Sequence, residues 1–282
     1  MKADIVTIFP DFFRGPLDYG ITRRAQEMGL AAIQVHDLRE FTHDRHRTVD
    51  DRPFGGGEGM VLKPEPLFEC LDSLGIAPRE NRISGRVKQS VVLLSAQGQR
   101  FTQRIAADLA RLERMVFICG RYEGVDERVA DFLADQELSI GDYVLSGGEI
   151  AAAVIVESVM RLLPGAVGNE ASTQQESFTV SVNDNDKDAK MKLAGGADST
   201  CGSNGLLDYP HYTRPAQFRG LTVPEALMTG NHEEIRRWRR RRALEKTLRN
   251  RPDLLDGAAL SEEETKLLDG LKRSDQVKTL SH

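Results

Sequence analysis

The sequence predicts an α/β domain with a parallel sheet, followed by a small all-helical domain. Short apolar runs alternate with helical patterns up to about residue 164, and beyond a polar stretch only helix-start signals remain. Apolar runs without polar alternation are typical of strands that helices cover on both faces. The βαβα alternation therefore favours an α/β fold.

The first part of the chain contains five predicted strands and five predicted helices. The strands are Asp4–Phe9, Ala32–Asp37, Ser90–Ala96, Met115–Cys119 and Ser139–Leu145. The helices are Leu17–Met28, Glu65–Leu74, Thr102–Leu112, Val125–Ala134 and Glu149–Leu163. The last of these helices is apolar on nearly every side, which predicts a buried helix that ends at Pro164-Gly165.

Composition changes after Gly168, because residues 173–204 are rich in Ser, Thr, Asn, Asp, Gly and Gln without periodicity. Such a segment is typical of a flexible linker. Helix-start patterns then follow at Thr222, Asn231 and Ser261, each with a Glu three residues later. We expect an α/β domain over 1–167, a linker with an insertion over 168–205, and a helical domain over 206–282.

The composition excludes several classes of protein. The chain has 282 residues, 40% hydrophobic and 29% charged, and no run approaches the ~18 apolar residues of a membrane helix. The amino terminus lacks the features of a signal peptide, which predicts a cytoplasmic protein. Three cysteines without a CxxC pair argue against a disulfide framework or a structural zinc site, and we predict no metal held by protein ligands.

Positive charge is concentrated near the carboxyl terminus. Residues 231–251 contain nine Lys or Arg against three Glu in a chain whose net charge is −5. Arginine rather than lysine, around the single Trp238, favours contact with the phosphates of a nucleic acid. A solvated helix is the alternative interpretation of such a charge run.

Glycine-bearing loops follow several predicted strands, although the GxGxxG, phosphate-loop, GxSxG and HExxH motifs are absent. The carboxyl ends of strands are where α/β proteins bind ligands, and glycine lets the backbone approach a ligand closely. A tight turn would explain any one loop, but four in one domain favour a ligand site. The loops are 52–60, 95–98, 119–124 and 140–149.

These loops belong to a series of motifs that extends along almost the whole chain: Ile8–Pro10, Arg52–Met60, Ile118–Arg128, Ser139–Glu149, Leu206–Pro215 and Gly230–Arg239. With these motifs in this order, the sequence resembles the bacterial tRNA (guanine(37)-N(1))-methyltransferases of the SPOUT superfamily. The resemblance implies that S-adenosylmethionine binds on a deep trefoil knot in the first domain. It also implies an obligate homodimer with active sites formed between two chains, tRNA with guanine at position 37 as the substrate, and use of a magnesium ion.

The resemblance also assigns cofactor-binding positions. They are Ala96, Gly120, Tyr122, Glu123, Ile140, Gly141, Asp142, Tyr143, Val144, Leu145, Gly147 and Gly148. Ala96 stands where the family usually has proline, so we expect a slightly looser loop with binding retained.

The chemistry of guanine defines what else the site needs. Nitrogen 1 of neutral guanine carries a proton, so its methylation requires a base and positive charge near the exocyclic oxygen. By resemblance, Glu176 is the base, where the family usually has Asp, and Arg161 provides the charge. The resemblance also implies tRNA contacts, which are Gly59, Asp208, His211, Arg236, Arg237 and Arg239. A methyltransferase acting on another RNA base and a catalytically silent RNA-binding relative are the alternatives, and the insertion has no assigned function.

Overall fold

The computed structural model describes residues 1–82, 88–169, 176–179, 203, 205–258 and 260–279. The chain divides into two compact units, Met1–Gly168 and Asn169–His282. Most of the predicted insertion lies outside the described residues. Within the described part, no helix combines the length and apolar character needed to cross a membrane.

A five-stranded parallel sheet forms the centre of the first unit. In chain order the strands of this unit are β1 (Lys2–Thr7), β2 (Ala32–Asp37), β3 (Asp50–Asp51), β4 (Val61–Leu62), β5 (Gln89–Arg100), β6 (Arg114–Cys119) and β7 (Gln136–Ser139). The sheet has the order β2-β1-β6-β5-β7, and β3 and β4 form a separate antiparallel pair. The predicted parallel α/β architecture is therefore confirmed for this unit.

Helices cover both faces of the sheet. They are α1 (Gly20–Glu27), α2 (Pro64–Ser73), α3 (Arg79–Arg82), α4 (Gln103–Leu109), α5 (Glu127–Phe132) and α6 (Glu149–Met160). Successive strand residues point to opposite faces, so Phe117 packs in the core cluster that contains α6, while Ile118 packs in the one that contains α2. This two-sided burial explains why the strand sequences are continuously apolar.

The structure corrects two strand boundaries. The predicted strand Ser139–Leu145 is wrong, because β7 ends at Ser139 and a loop follows in which the Tyr143 amide donates to the carbonyl of Gly141 at 2.9 Å. Strand β5 continues past Ala96 to Arg100, and its register with β7 shifts between Leu94 and Gln99. A Cβ at Gly98 would lie 2.5 Å from the backbone nitrogen of Leu138, so glycine permits this close passage.

The second unit was predicted to be all-helical, but it also contains strands. It contains the short antiparallel strands β8 (Gln217–Phe218) and β9 (Leu221–Thr222), then the helices α7 (His232–Asn250) and α8 (Glu262–Thr279). The two turn residues Arg219 and Gly220 both have positive φ, the backbone that two-residue hairpins require. The predicted helix at Thr222 is only a 3-10 turn over Glu225–Leu227.

Two of the predicted helix starts are confirmed. Asn231 Oδ1 accepts the amides of Glu233 and Glu234 at the start of α7. At the start of α8, Ser261 and Glu264 each accept the other's backbone amide, as in a capping box.

Residues 176–179, which belong to the predicted linker, form hydrogen bonds within the second unit. The Phe178 amide donates to the carbonyl of Leu206 at 3.0 Å, and the Asp208 amide donates to Ser177 Oγ at 2.9 Å. These hydrogen bonds connect residues 176–179 to the segment 206–208, which precedes the hairpin.

Candidate active site

A cavity of about 290 Å³ opens beside β5 and among the loops that follow β6 and β7. Its lining includes Leu93–Gln97, Gly120–Val125, Ser139–Gly141 and Tyr143–Gly148. The cavity lies where strands end, which is the usual ligand position in parallel α/β sheets, and its volume is near the lower end of ligand pockets.

The predicted cofactor residues come together in this lining with one exception. The lining contains Ala96, Gly120, Tyr122, Glu123, Ile140, Gly141, Tyr143, Val144, Leu145, Gly147 and Gly148. Asp142 does not line the cavity; its exposed carboxylate is paired with Arg100. The assigned positions from Ala96 to Gly148 therefore converge on one cavity.

The loops around the cavity approach each other too closely for side chains. The Gly148 amide donates to the carbonyl of Gly120 at 2.9 Å, and a Cβ at Gly148 would lie 2.8 Å from the Cα of Cys119. A Cβ at Gly120 would lie 3.0 Å from the carbonyl oxygen of Leu94. These glycines thus bring the middle of β5 and the end of β6 against the start of α6.

Backbone hydrogen bonds connect the end of the loop 52–60 and the strand after it to the cavity wall. The Glu123 amide donates to the carbonyl of Met60 at 3.0 Å, and the Leu62 amide donates to the carbonyl of Gly124 at 3.0 Å. Gly59 has a φ of +83°, and a Cβ there would lie 2.5 Å from Glu123 Oε1. Gly59 therefore lies directly against a cavity residue.

An ion pair between a buried glutamate and a partly buried arginine was missed by the sequence reasoning. Glu149, 4% exposed, accepts a hydrogen bond from Thr7 Oγ1 at 2.8 Å and one from Arg121 Nη1 at 3.2 Å. The only sequence signal is a glutamate placed directly after two loop glycines at the start of a helix.

Neither described cysteine has the character of a nucleophile. Burial raises the pKa of the Cys119 thiol well above its ordinary value, and the negative charge of Glu149 raises it further. Burial likewise raises the pKa of Cys70 to about 12. Thiolate chemistry therefore has no support at this site.

The predicted catalytic pair is divided between the two units. Arg161 is the residue that caps the carboxyl end of α6 in the first unit, and Glu176 belongs to the second unit. Neither residue lines the cavity between the strand ends.

A second group of predicted residues meets within the second unit. Asp208 Oδ2 lies 2.9 Å from His211 Nε2, and the ring of His211 packs on Tyr209 with centroids 4.6 Å apart. The Arg239 guanidinium lies 4.9 Å from the centroid of the Tyr209 ring. His211, Tyr209 and Arg239 line a cavity of about 560 Å³ in this unit.

Acidic residues already pair with several arginines of α7. Arg237 contacts Glu233 at 2.7 Å, Arg241 contacts Glu245 at 3.0 Å, and Arg240 is paired with Glu264. Exposed i, i+4 pairs are worth only about 0.3–0.5 kcal/mol, so a phosphate could displace the exposed ones. Arg236 is exposed on the same helix.

The described residues contain no group of three or more His, Cys, Asp or Glu that could hold a metal ion. His43 in the loop before β3 lies 2.8 Å from Glu69 Oε2, an exposed pair without a third ligand.

The first unit is a parallel α/β unit with a glycine-lined cavity at its strand ends, and the second unit contains an arginine-rich helix. Together these features define a ligand-binding α/β protein with a basic helical region. Comparison with known proteins identifies the family: the sequence model of the tRNA (Guanine-1)-methyltransferase TrmD family matches residues 1–257. The chain belongs to this family.

Curated relatives match over nearly their whole length. A tRNA (guanine-N(1)-)-methyltransferase from Koribacter versatilis is 62% identical over 272 residues, which cover 96% of this chain and 98% of the relative. Proteins of the same name from Dictyoglomus turgidum and Halalkalibacterium halodurans are 47% and 45% identical, covering 97% and 98% of this chain and 97% and 100% of their own.

Proposed function

We propose that this enzyme transfers a methyl group from S-adenosylmethionine to nitrogen 1 of guanine at position 37 of tRNA. The observation that carries the proposal is the convergence of two glycine-bearing loops, 120–124 and 140–148, with strand β5 on one cavity in a chain of this family. A cytoplasmic location suits a tRNA substrate.

The cavity has the features that a nucleoside-containing cofactor needs. Gly120 and Gly148 let the backbones around the cavity pack closely, where a side chain would collide with neighbouring backbone. Tyr122 and Tyr143 add aromatic surface to the lining. When bound, the cofactor supplies a methyl group made electrophilic by its sulfonium.

The proposed chemistry on guanine uses Glu176 and Arg161. Glu176 accepts the proton of nitrogen 1, which frees the lone pair of this nitrogen for attack. Arg161 offers positive charge to the exocyclic oxygen as negative charge develops there. This assignment rests on the family motifs.

A homodimer would let two chains complete one site. Ile150 and Val154 are 49% and 42% exposed and lie one turn apart on α6, and Glu157 is the third exposed residue of that helix. Arg161 follows Val154 by two helical turns, so it continues the same face. We propose that a second copy of the chain covers this face and brings Arg161 to the shared site.

We also propose that the first unit contains the trefoil knot of the SPOUT superfamily. A knot requires one loop to pass through another, with backbones in close contact. The passage of Gly98 against Leu138 and that of Gly148 against Cys119 support the proposal.

The second unit would hold the tRNA. Asp208 and His211 present a hydrogen-bonded pair beside the Tyr209–Arg239 stack, and unpaired RNA bases commonly stack on aromatic and guanidinium planes. Arg236 and Arg237 on α7 would contact phosphates, which position RNA without reading its sequence. Gly59 in the first unit is the remaining proposed tRNA contact. The described residues contain no group of three or more His, Cys, Asp or Glu, so a magnesium ion would take most of its oxygen ligands from water and substrate.

The test combines titration with methyl transfer. We expect the chain to bind S-adenosylmethionine in calorimetry and to methylate unmodified tRNA that carries guanine at positions 36 and 37. The same tRNA with adenine at position 37 is the control. Equal methylation of both tRNAs would indicate another target base, and tRNA binding without methyl transfer would indicate a silent relative.

A further inference from the structure

The proposed chemistry gives no role to Glu149, a carboxylate that is 4% exposed at the first residue of α6. Glutamate is rarely buried unless it is paired. Here Thr7 Oγ1 donates to Oε1 at 2.8 Å and Arg121 Nη1 donates to Oε2 at 3.2 Å. The amino terminus of the helix also favours a negative charge.

This carboxylate connects three segments that meet at the same edge of the sheet. Thr7 is the last residue of β1, Arg121 follows β6, and Glu149 begins α6. Thr7 Oγ1 also accepts the amide of Phe9 at 3.0 Å, and the Arg121 guanidinium stacks 4.5 Å from the centroid of the Phe9 ring. The ion pair therefore connects the end of β1 to two walls of the cavity.

The segment that Arg121 holds has a strained backbone. Tyr122, which lines the cavity, has a φ of +59°. A non-glycine residue keeps such a conformation only where its surroundings enforce it. Arg121 also forms a backbone bridge with Gly147, so its main chain and its side chain both fix the residue before Tyr122.

Gly147 gives an independent sign of the same arrangement. A Cβ at Gly147 would lie 2.4 Å from Arg121 Nη1 and 2.4 Å from Glu149 Oε2. The ion pair occupies the space that a side chain would take, which explains glycine at this position.

We propose that Glu149 and Arg121 are positioning residues, which hold the loops 120–124 and 146–148 in the shape that binds the cofactor. The inference depends on the proposed S-adenosylmethionine site and gives a role to two residues that are not among the cofactor-binding positions assigned by the resemblance. The pair acts through the loops, so its loss should weaken cofactor binding more than it slows the chemical step.

Glu149→Gln tests this directly, because the amide keeps the shape and an acceptor for Thr7 but removes the charge. We expect the Kd for S-adenosylmethionine in calorimetry to rise about tenfold, as for the loss of a charge-assisted hydrogen bond. The single-turnover rate at saturating cofactor should stay close to that of the wild type. Arg121→Met should behave alike, and Arg121→Lys, which keeps the charge, should recover part of the affinity.

Matched controls come from an exposed pair of the same type on α1. Arg23 Nε lies 2.7 Å from Glu27 Oε1, and both side chains are well exposed. Glu27→Gln and Arg23→Met should leave the Kd unchanged. The double variant Glu149→Gln/Arg121→Met should bind no more weakly than the weaker single variant, because coupled residues are not additive.

Two outcomes would overturn the inference while leaving the cofactor site intact: a folded Glu149→Gln chain with the wild-type Kd, or Kd effects of Glu149→Gln and Arg121→Met that simply add. A variant that loses thermal stability without any change in Kd would indicate a purely structural pair and has the same consequence. If Glu149→Gln fails to fold, Arg121→Lys provides the same comparison with the buried carboxylate still compensated. A wild-type chain that binds no S-adenosylmethionine would overturn the proposed site and this inference together.

Discussion

Glu176 is the residue on which the proposed chemistry depends most. Glu176→Gln keeps the size of the side chain but cannot take a proton, so single-turnover methyl transfer should slow by roughly 100-fold or more. The affinity for S-adenosylmethionine should change little. Rapid-quench measurement of methylated tRNA at saturating cofactor, together with calorimetry, checks both parts.

Two further variants sharpen this prediction. Glu176→Asp restores the carboxylate that the family usually carries and should remain active. Glu263→Gln removes an exposed carboxylate at the start of α8 and should have no effect. A Glu176→Gln enzyme with the wild-type single-turnover rate would exclude Glu176 as the base and make Asp208 the next candidate.

Gly148 tests the cavity itself. Its φ of −80° suits any residue, so Gly148→Ala acts only through the added methyl group, which would lie 2.8 Å from the Cα of Cys119. We expect a stability loss of about 1–3 kcal/mol from overpacking and markedly weaker S-adenosylmethionine binding in calorimetry. Gly15→Ala, where nothing lies within 4 Å, is the control. Unchanged affinity in a folded Gly148→Ala chain would contradict the cofactor assignment.

At the residue scale, local motifs predicted most residues that line the cavity but did not predict the Glu149–Arg121 ion pair next to it. Gly120, Leu145 and Gly148 belong to short motifs at strand ends, and the parallel sheet brings such ends to one edge. Thr7 and Glu149 are separated by 142 positions in sequence. No local sequence pattern around either residue predicts that they form a hydrogen bond. Long-range polar pairing depends on the fold and cannot be inferred from periodicity.

At the element scale, burial decided which predictions succeeded. Strand β6 is buried from Met115 to Cys119, and its continuous apolar sequence predicted it well. The segment 140–145 has a strand-like sequence, but local hydrogen bonds around Gly141 replace a ladder. The hairpin of β8 and β9 has strands of two residues each, too short for any period to be visible.

A buried charge cluster links β1 to its neighbours and predicts how stability depends on pH. Burial by itself would raise the pKa of Asp4, but hydrogen bonds from His36 and Arg114, with the charges of Arg114 and Lys2, outweigh it and leave the pKa below its ordinary value of 3.8. A carboxylate with a depressed pKa stabilises the fold above its unfolded pKa. That contribution is lost as pH falls through the folded value.

The free energy of unfolding should therefore decline below about pH 4, with Asp4 as one contributor. Asp4→Asn should lose roughly 3 kcal/mol at pH 7, because it leaves a buried cation uncompensated, and should show a flatter decline in acid. Urea titrations from pH 7 to pH 3 measure both. Asp108→Asn, which breaks an exposed pair with Arg111, is the control; equal pH profiles for Asp4→Asn and the wild type would contradict the prediction.

The basic helix α7 should contribute affinity without sequence preference. Arg236→Gln should weaken tRNA binding to a similar degree for different tRNAs and reduce the slope of log affinity against log salt by about one. Filter-binding titrations at several salt concentrations measure this slope. Arg23→Gln in the first unit is the control, and an unchanged slope for Arg236→Gln would argue that α7 does not contact phosphate.

At the scale of the whole molecule, the proposed site needs residues from both units. Arg161 continues the exposed face of α6 that carries Ile150 and Val154, while Glu176 is hydrogen-bonded into the second unit through its neighbours Ser177 and Phe178. The family motifs imply that the two residues meet across a dimer. Activity should therefore depend on assembly as well as on each residue.

Val154→Asp should break the dimer, because a carboxylate at this position would be buried against the second copy without a partner. Light scattering should show a monomer that is folded but inactive. Glu157→Gln, at the next exposed position on the same face, keeps the size of the side chain and should stay dimeric. A Val154→Asp chain that remains a dimer would place the interface elsewhere.

Complementation decides whether the catalytic pair is shared between chains. Arg161→Ala and Glu176→Ala chains are each expected to be inactive alone, but a mixed dimer would contain one site with both residues intact. With random assembly half of the dimers are mixed, so coexpression should restore about a quarter of wild-type activity. If both residues came from the same chain, no mixed dimer would contain an intact site and activity would stay absent. Adding Val154→Asp to both chains should abolish the recovery, which ties it to the dimer and excludes recombination or contamination as its source.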